Sequence, residues 1–159
     1  MVNSFDGEDF DLDETDRKLI AALQRDGRYG YTELGELVGL TAGGARRRVM
    51  RLEKRGVVQI VGVTDPLRLG FQSMAMVGIV ANGDIEAIAK KLGEIESVVY
   101  VVLTAGQFDL LVEVLAEDQQ KMFDVINSQI RPIEGIMRAE TFSYYSIRTH
   151  RFGWGSGDR

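Results

Sequence analysis

Only two residues, Gly39 and Leu40, separate two amphipathic stretches of this chain, and so short a link constrains them to a tightly turned pair of helices. The first stretch opens at Thr32, read as an N-cap, carries Leu34, Leu37 and Val38 on its apolar side, and stops at Gly39. The second is TAGGARRRVMRLEKRG, with Thr41 as N-cap and Gly56 as the glycine just past the last turn. At about 100° per residue, Ala45, Val49 and Leu52 share one face, which is assigned to the core. Arg47, Arg51 and Lys54 fall opposite, with Arg46, Arg48 and Arg55 on the flanks, so the charge forms a stripe. Gly43 and Gly44 lie at the N-terminal end of the exposed side. Each glycine in a helix costs about 1 kcal/mol relative to alanine, and close approach of this backbone to another molecule is a reason to carry them. An Arg-rich helix face is often no more than a solvated face, so its surroundings decide.

Upstream, Leu12 opens a further helix. Asp13 serves as its N-cap, Glu14 and Asp16 suit the positive end of its dipole, Leu19, Ile20 and Leu23 make its buried stripe, and Asp26-Gly27 stops it. Three helices with a basic third member have the order of a helix-turn-helix unit in which the last is the recognition helix. The run Val57 to Val63 reads as a short strand, a wing beside that helix, ended by Asp65-Pro66.

Charge supports this reading once it is taken by segment. The 159 residues carry a formal net charge of −5, but residues 1–16 hold seven acids and no base, residues 17–68 hold eleven Lys/Arg against five acids, and residues 69–159 hold eight against twelve. The helical segment is therefore net +6 within an acidic chain. With no cysteine, a disulfide framework and a thiolate metal site are both excluded. The apolar runs are far too short for a membrane span, and no signal peptide precedes the first charged stretch, so a soluble cytoplasmic protein with no membrane partner is expected.

From Gly70 onward the pattern changes to strands and helices in alternation. Met74 to Ala81, Val98 to Leu103, Asp109 to Leu115 and Met137 to Ile147 read as strands. Asp84 to Leu92 reads as a helix with Ile85, Ile88, Ala89 and Leu92 inward, and Asp118 caps another with Met122, Phe123 and Ile126 inward, closed off by Pro132. The order β-α-β-β-α-β is that of a ferredoxin-like domain, both helices on one face of a four-stranded antiparallel sheet, and the whole chain is α+β. Strands such as Val98 to Leu103 lack polar alternation, so both sheet faces should be covered. Two helices cover one, and a second copy of the chain is the simplest cover for the other. The expected segments are a mobile acidic N-terminus (1–10), a winged helix-turn-helix (11–63), a linker (64–70), the ferredoxin-like domain (71–148) and a flexible tail (149–159).

This order of parts resembles the Lrp/AsnC, or feast/famine, family of transcription regulators. The resemblance covers about residues 11–148 and rests on LDETDRKLIAALQRDGR (Leu12 to Arg28), TELGELVGLTAGGARRRVMRLEKRGVV (Thr32 to Val58), the link TDPLRLG (Thr64 to Gly70) and TAGQFDLLVEV (Thr104 to Val114). It implies a DNA-binding N-terminal part and a C-terminal part that forms dimers, and in many relatives octamers, and binds a small effector, usually an amino acid, near a G-x-[FY]-D loop between subunits. Here that loop is Gly106-Gln107-Phe108-Asp109.

The expected partners are accordingly double-stranded DNA, a small effector and further copies of the chain. For DNA the candidates are Tyr31, Thr32, Thr41, Gly43, Gly44, Arg46, Arg47, Arg48, Arg51, Lys54 and Arg55. Arg47 and Arg51 are placed nearest base edges, where a guanidinium makes a bidentate contact to guanine, and Arg46, Arg48, Lys54 and Arg55 on phosphates. For the effector they are Leu103, Thr104, Ala105, Gly106, Gln107, Phe108 and Asp109. A glycine-permitted turn exposes backbone N–H groups that hold a carboxylate, and Asp109 would meet an α-ammonium group. No cofactor, metal or catalytic residue is expected. Some relatives are histidine-using decarboxylases of haem precursors, but this chain has the single histidine His150, and a sensing subunit without DNA binding is disfavoured by the arginine stripe.

Overall fold

In a computed structural model that describes residues 11–149, the chain divides between Val63 and Thr64 into two units. The N-terminal unit holds helices α1 (Glu14–Arg25), α2 (Tyr31–Val38) and α3 (Ala42–Lys54). Asp13 caps α1, its carboxylate accepting from the Asp16 amide at 2.8 Å. α2 begins earlier than Thr32, which is a helical residue and not the cap. Gly30 is the N-cap, because the Glu33 carboxylate reaches back to accept the Gly30 N–H at 2.8 Å and so fixes the start there. Gly39 ends the helix in the left-handed region at φ 71°, and Thr41 caps α3 by accepting from the Gly44 amide at 3.1 Å. Ala45, Val49 and Leu52 are fully buried, and Ala45 and Val49 pack with Leu19, Ala22, Leu23 and Leu34.

The turn between α2 and α3 rests on a residue the sequence analysis did not single out. A Cβ on Gly35 would lie 2.5 Å from the Leu40 carbonyl oxygen, so only glycine lets the chain fold back this closely, and the Leu40 amide donates to the Gly35 carbonyl at 2.8 Å.

The expected wing strand is not formed. Residues 57–63 are irregular, since a strand needs a hydrogen-bonded partner and the described part of this unit contains no other strand. Val58 packs on the helical core, the Ile60 side chain lies beside Gly27, and Ile60, Val61 and Val63 are exposed. Asp65 then caps a 3₁₀ turn, Pro66–Leu69, which closes at Gly70.

The C-terminal unit runs β1 (Ser73–Ala81), α4 (Ile85–Gly93), β2 (Val98–Leu103), β3 (Leu110–Ala116), α5 (Gln119–Val125) and β4 (Ile136–Ser143). The sheet order is β2-β3-β1-β4 and every pairing is antiparallel, the arrangement expected from the β-α-β-β-α-β order. Ala75, Val77 and Ile79 of β1 and Leu110, Val112, Val114 and Ala116 of β3 form the buried face beneath Ile88 and Leu92 of α4 and Met122 and Val125 of α5. A π turn, Ile126–Ile130, continues α5 and brings Ile126 and Ile130 into the same core. Phe123, expected inward, is 60% exposed: Met122, Val125 and Ile126 occupy the inner face and leave Phe123 outside.

The opposite face of the sheet has no element over it among the described residues of this unit. By alternation and register it presents Met74, Met76 and Val80 of β1, Leu111 and Leu115 of β3, Tyr100 and Val102 of β2 and Phe142 of β4, interspersed with Glu113, Arg138 and Glu140. The Tyr144 hydroxyl donates to Glu113 at 2.9 Å, and burial, reinforced by that carboxylate, pushes the phenol up to about 12.

Candidate nucleic-acid interface and effector loop

The basic helix α3 divides into two groups of side chains. Arg46, Arg47 and Lys54 are exposed and make no ion pair among the described residues. Arg48 and Arg51 turn back towards α1. Asp16, only 1% exposed, accepts from Arg48 at 3.0 Å through one carboxylate oxygen and from Arg51 at 2.6 Å through the other. Arg48 also pairs with the Asp13 carboxylate. That guanidinium, with the Asp16 amide, holds the Asp13 carboxyl below its ordinary value, and the two carboxylates raise Arg48 in turn. Arg51 lies on the exposed side of α3, its side chain 46% exposed, yet its guanidinium reaches back to a buried carboxylate in a charge-assisted hydrogen bond.

Leu40, Gly44, Arg47, Arg48 and Arg51 line an open concavity of about 300 Å³ at the start of α3. Gly43 is exposed and a Cβ built on it meets nothing, whereas one on Gly44 would lie 3.3 Å from the capping hydroxyl of Thr41. Tyr31 and Thr32 are exposed in the first turn of α2, and Arg55 sits at the C-terminal end of α3. The exposed side of α3 therefore offers bare backbone at one end and cations along its length.

In the C-terminal unit, Thr104 to Asp109 form the β2–β3 connection. The Thr104 amide donates to the Asp109 carbonyl at 2.9 Å and the Thr104 hydroxyl to the Phe108 carbonyl at 2.7 Å, which closes the loop. Gly106 has φ 157°, and the amides of Ala105, Gly106 and Gln107 find no acceptor among the described residues. Leu103 and residues 105–107 are exposed. Asp109 is already engaged: its carboxylate accepts from the Ala81 amide at 2.8 Å, and its own amide donates to the Ile79 carbonyl at 2.8 Å. It therefore ties the loop to the end of β1, and one carboxylate oxygen is committed before any ligand arrives.

Phe108 is nearly buried and lies over the open face of the sheet, where a Cβ on Gly78 would come within 2.8 Å of its ring. Phe142 meets it edge-on at 5.9 Å and the Arg138 guanidinium stands 5.7 Å from its centroid. Gly78, Arg138 and Phe142 thus anchor the loop. A glycine inside an apolar strand was the sequence signal for the first of them. The other two lie far along the chain and meet the loop only through the register of β4 on β1. His150 and the aromatic tail lie outside the described residues, within which no cluster of His, Asp and Glu could hold a metal and no helix is long and apolar enough to cross a membrane.

Residues 12–53 match the AsnC-type helix-turn-helix domain and residues 74–151 the Lrp/AsnC ligand binding domain. The chain belongs to the Lrp/AsnC family of DNA-binding transcriptional regulators. It is 27% identical over 146 residues to an uncharacterised HTH-type transcriptional regulator of Pyrococcus furiosus, covering 91% of this chain and 96% of that one. It is 26% identical over 129 residues to the regulator LrpA of Pyrococcus abyssi, covering 80% and 92%. Among solved structures, Mycobacterium tuberculosis LrpA superposes with a TM-score of 0.80 at 26% identity, over 93% of this chain and 99% of that one. A Neisseria meningitidis transcriptional regulator solved as a complex with L-Met gives 0.82 at 22% identity, over 92% and 98%, a likeness of fold.

Proposed function

We propose that α3 reads DNA through its exposed side, with Arg47 at base edges, Arg46, Lys54 and Arg55 on phosphates, and the glycine-bearing first turn, Thr41 to Gly44, lying against the backbone of the duplex. Tyr31 and Thr32 would meet phosphates from the start of α2. Arg48 and Arg51 border the same surface from the α1 side. The observation that carries this reading is the set of exposed, unpaired cations Arg46, Arg47 and Lys54 on a capped helix behind a glycine-tight turn. The protein would then act in the cytoplasm, where its target is.

The effector would be an amino acid, held between subunits at Leu103 to Asp109. Its carboxylate meets the free amides of Ala105 to Gln107, and its ammonium group meets the uncommitted oxygen of Asp109. The structural likeness to a regulator that binds L-Met supports the class of ligand. A second copy covering the open sheet face makes a dimer, which places two α3 helices on successive turns of a near-palindrome, and dimers of this kind can close into octamers. The domain limits are taken as 11–63 for DNA binding, 64–70 as link and 71–148 for effector and assembly, with residues 1–10 and 149–159 flanking them.

The test is titration of labelled duplexes at several salt concentrations. An Arg46→Gln/Arg47→Gln protein should lose about 1–3 kcal/mol on a selected site for the base contact and flatten the salt dependence by about 0.9 for each phosphate contact removed. Unchanged affinity in a folded double variant would remove α3 from the interface.

A further inference from the structure

Asp16 is the one polar or charged side chain buried among the described residues, and both of its carboxylate oxygens face α3. A buried carboxylate is retained at a cost, since hydrophobic residues of similar volume stabilise a core as well or better. Around it, Leu19, Ala22 and Leu23 already pack on Ala45 and Val49, so apolar contact between α1 and α3 exists without it. What the carboxylate adds is direction. Apolar packing tolerates small rotations of one helix on another, whereas two hydrogen bonds to fixed points on α3 do not. A residue step is 100° around a helix, so a fraction of a step swings Arg47 away from any base edge it addresses.

Asp13 joins the same network. It caps α1 through the Asp16 amide and pairs with Arg48, so the end of α1 and the middle of α3 are one unit. Two guanidinium charges face two carboxylates, and the cluster is neutral. Arg48 and Arg51 border the concavity at the start of α3, yet their charge is spent on α1.

Resting on the DNA reading above, we propose that Asp16 is a positioning residue for sequence recognition: by holding Arg48 and Arg51 against α1 it fixes the rotation of α3 and keeps the Arg51 guanidinium away from phosphates. Asp16 therefore raises the ratio of specific to nonspecific binding and lowers nonspecific binding itself. A residue that merely stabilised the fold would move both affinities the same way.

The experiment measures salt-dependent binding of the full chain to a duplex selected by the wild-type protein from a random pool, and to a scrambled duplex of equal length. In Asp16→Asn the freed arginine adds one phosphate contact, so nonspecific binding tightens and its logarithmic salt slope steepens by about 0.9. The specific-to-nonspecific ratio falls about tenfold, within the range of one misaligned base contact. Asp11→Asn, which removes an exposed carboxylate with no ion pair among the described residues, controls for charge alone and should leave slope and ratio near wild type. Arg51→Gln added to Asp16→Asn should restore the slope. If Asp16→Asn is unfolded at the assay temperature, Arg51→Lys replaces it: every charge is kept, but a single ammonium cannot reproduce the planar fork, and the ratio should again fall. Failure of the wild-type protein to bind any duplex at low salt overturns the DNA reading and this inference together. Binding by wild type, with Asp16→Asn matching Asp11→Asn or weakening on both duplexes at an unchanged slope, overturns this inference alone.

Discussion

At the scale of single residues, charge and space act at different places. Asp13 is exposed, and the Arg48 guanidinium holds its carboxyl below the ordinary value of 3.8. A depressed carboxyl pKa contributes stability that is present above the ordinary value and is lost as pH falls through the depressed one. Thermal melts of wild type and Asp13→Asn between about pH 2 and pH 6 should therefore differ at the upper end and converge at the acid end. Gly78 is a matter of space. An alanine there would push Phe108 off the sheet, with an overpacking cost of about 1–3 kcal/mol, and would displace the loop that Phe108 ends. Screening the common amino acids by thermal shift should find an effector for the wild-type chain, since a ligand at 100 times its Kd adds about 2.7 kcal/mol. Gly78→Ala should lose most of that shift while keeping its DNA affinity without ligand, and an undiminished shift would move the effector site away from Phe108. Such residues were only half legible in the sequence. That Gly106 and Asp109 belong to one loop could be read from their spacing, but the prior engagement of Asp109 with the Ala81 amide depends on where β1 ends beside it.

At the scale of elements, caps and periodicity were informative because they are local. Asp13, Thr41 and Asp118 each accept the amide three residues on, as their reading as caps predicts, and the apolar stripe of α3 is the one its spacing predicts. The start of α2 is set just as locally, by the Glu33 carboxylate reaching back three residues to Gly30. Two features were not local: the segment 57–63 has strand composition without a pairing partner, and Arg51 was turned by a carboxylate 35 positions away. Helical-wheel reasoning assigns a long side chain to the face of its Cα, whereas Arg is long enough to leave that face. The first turn of α3 offers a separate test. Gly43 has open space around its Cβ position, so Gly43→Ala should stabilise the helix by up to about 1 kcal/mol. It should nevertheless weaken DNA binding, because the added methyl group stands where the duplex backbone approaches. A variant more stable and equally tight would place Gly43 away from the DNA.

At the scale of the molecule, the uncovered sheet face dominates. Met74, Met76, Val80, Val102, Leu111 and Leu115 on it are only half-buried, and each forgoes part of the roughly 1.5–3 kcal/mol that full burial of such a side chain gives, against a total domain stability of about 5–15 kcal/mol. The full chain should sediment as a dimer or larger at micromolar concentration, and Met76→Lys, which places a charge at the centre of the face, should shift it towards monomer. A wild-type monomer would mean that this face stays in water. The two-unit organisation was readable from the change in punctuation near Gly70. The mixture of charge with apolar residues on the open face was not, because Glu113, Arg138 and Glu140 come from two strands that sequence alone does not align.

The strand order β2-β3-β1-β4 also sets a schedule for synthesis. Within residues 11–63 the helices contact near neighbours in sequence, so this half can fold as soon as it emerges from a ribosome. The sheet cannot, because its inner strand β1 is made early and lacks one flank until β4, some sixty positions later, has been made. During that interval β1 shows unpaired amides and carbonyls along an apolar strand, the condition under which nascent chains associate with each other or recruit chaperones.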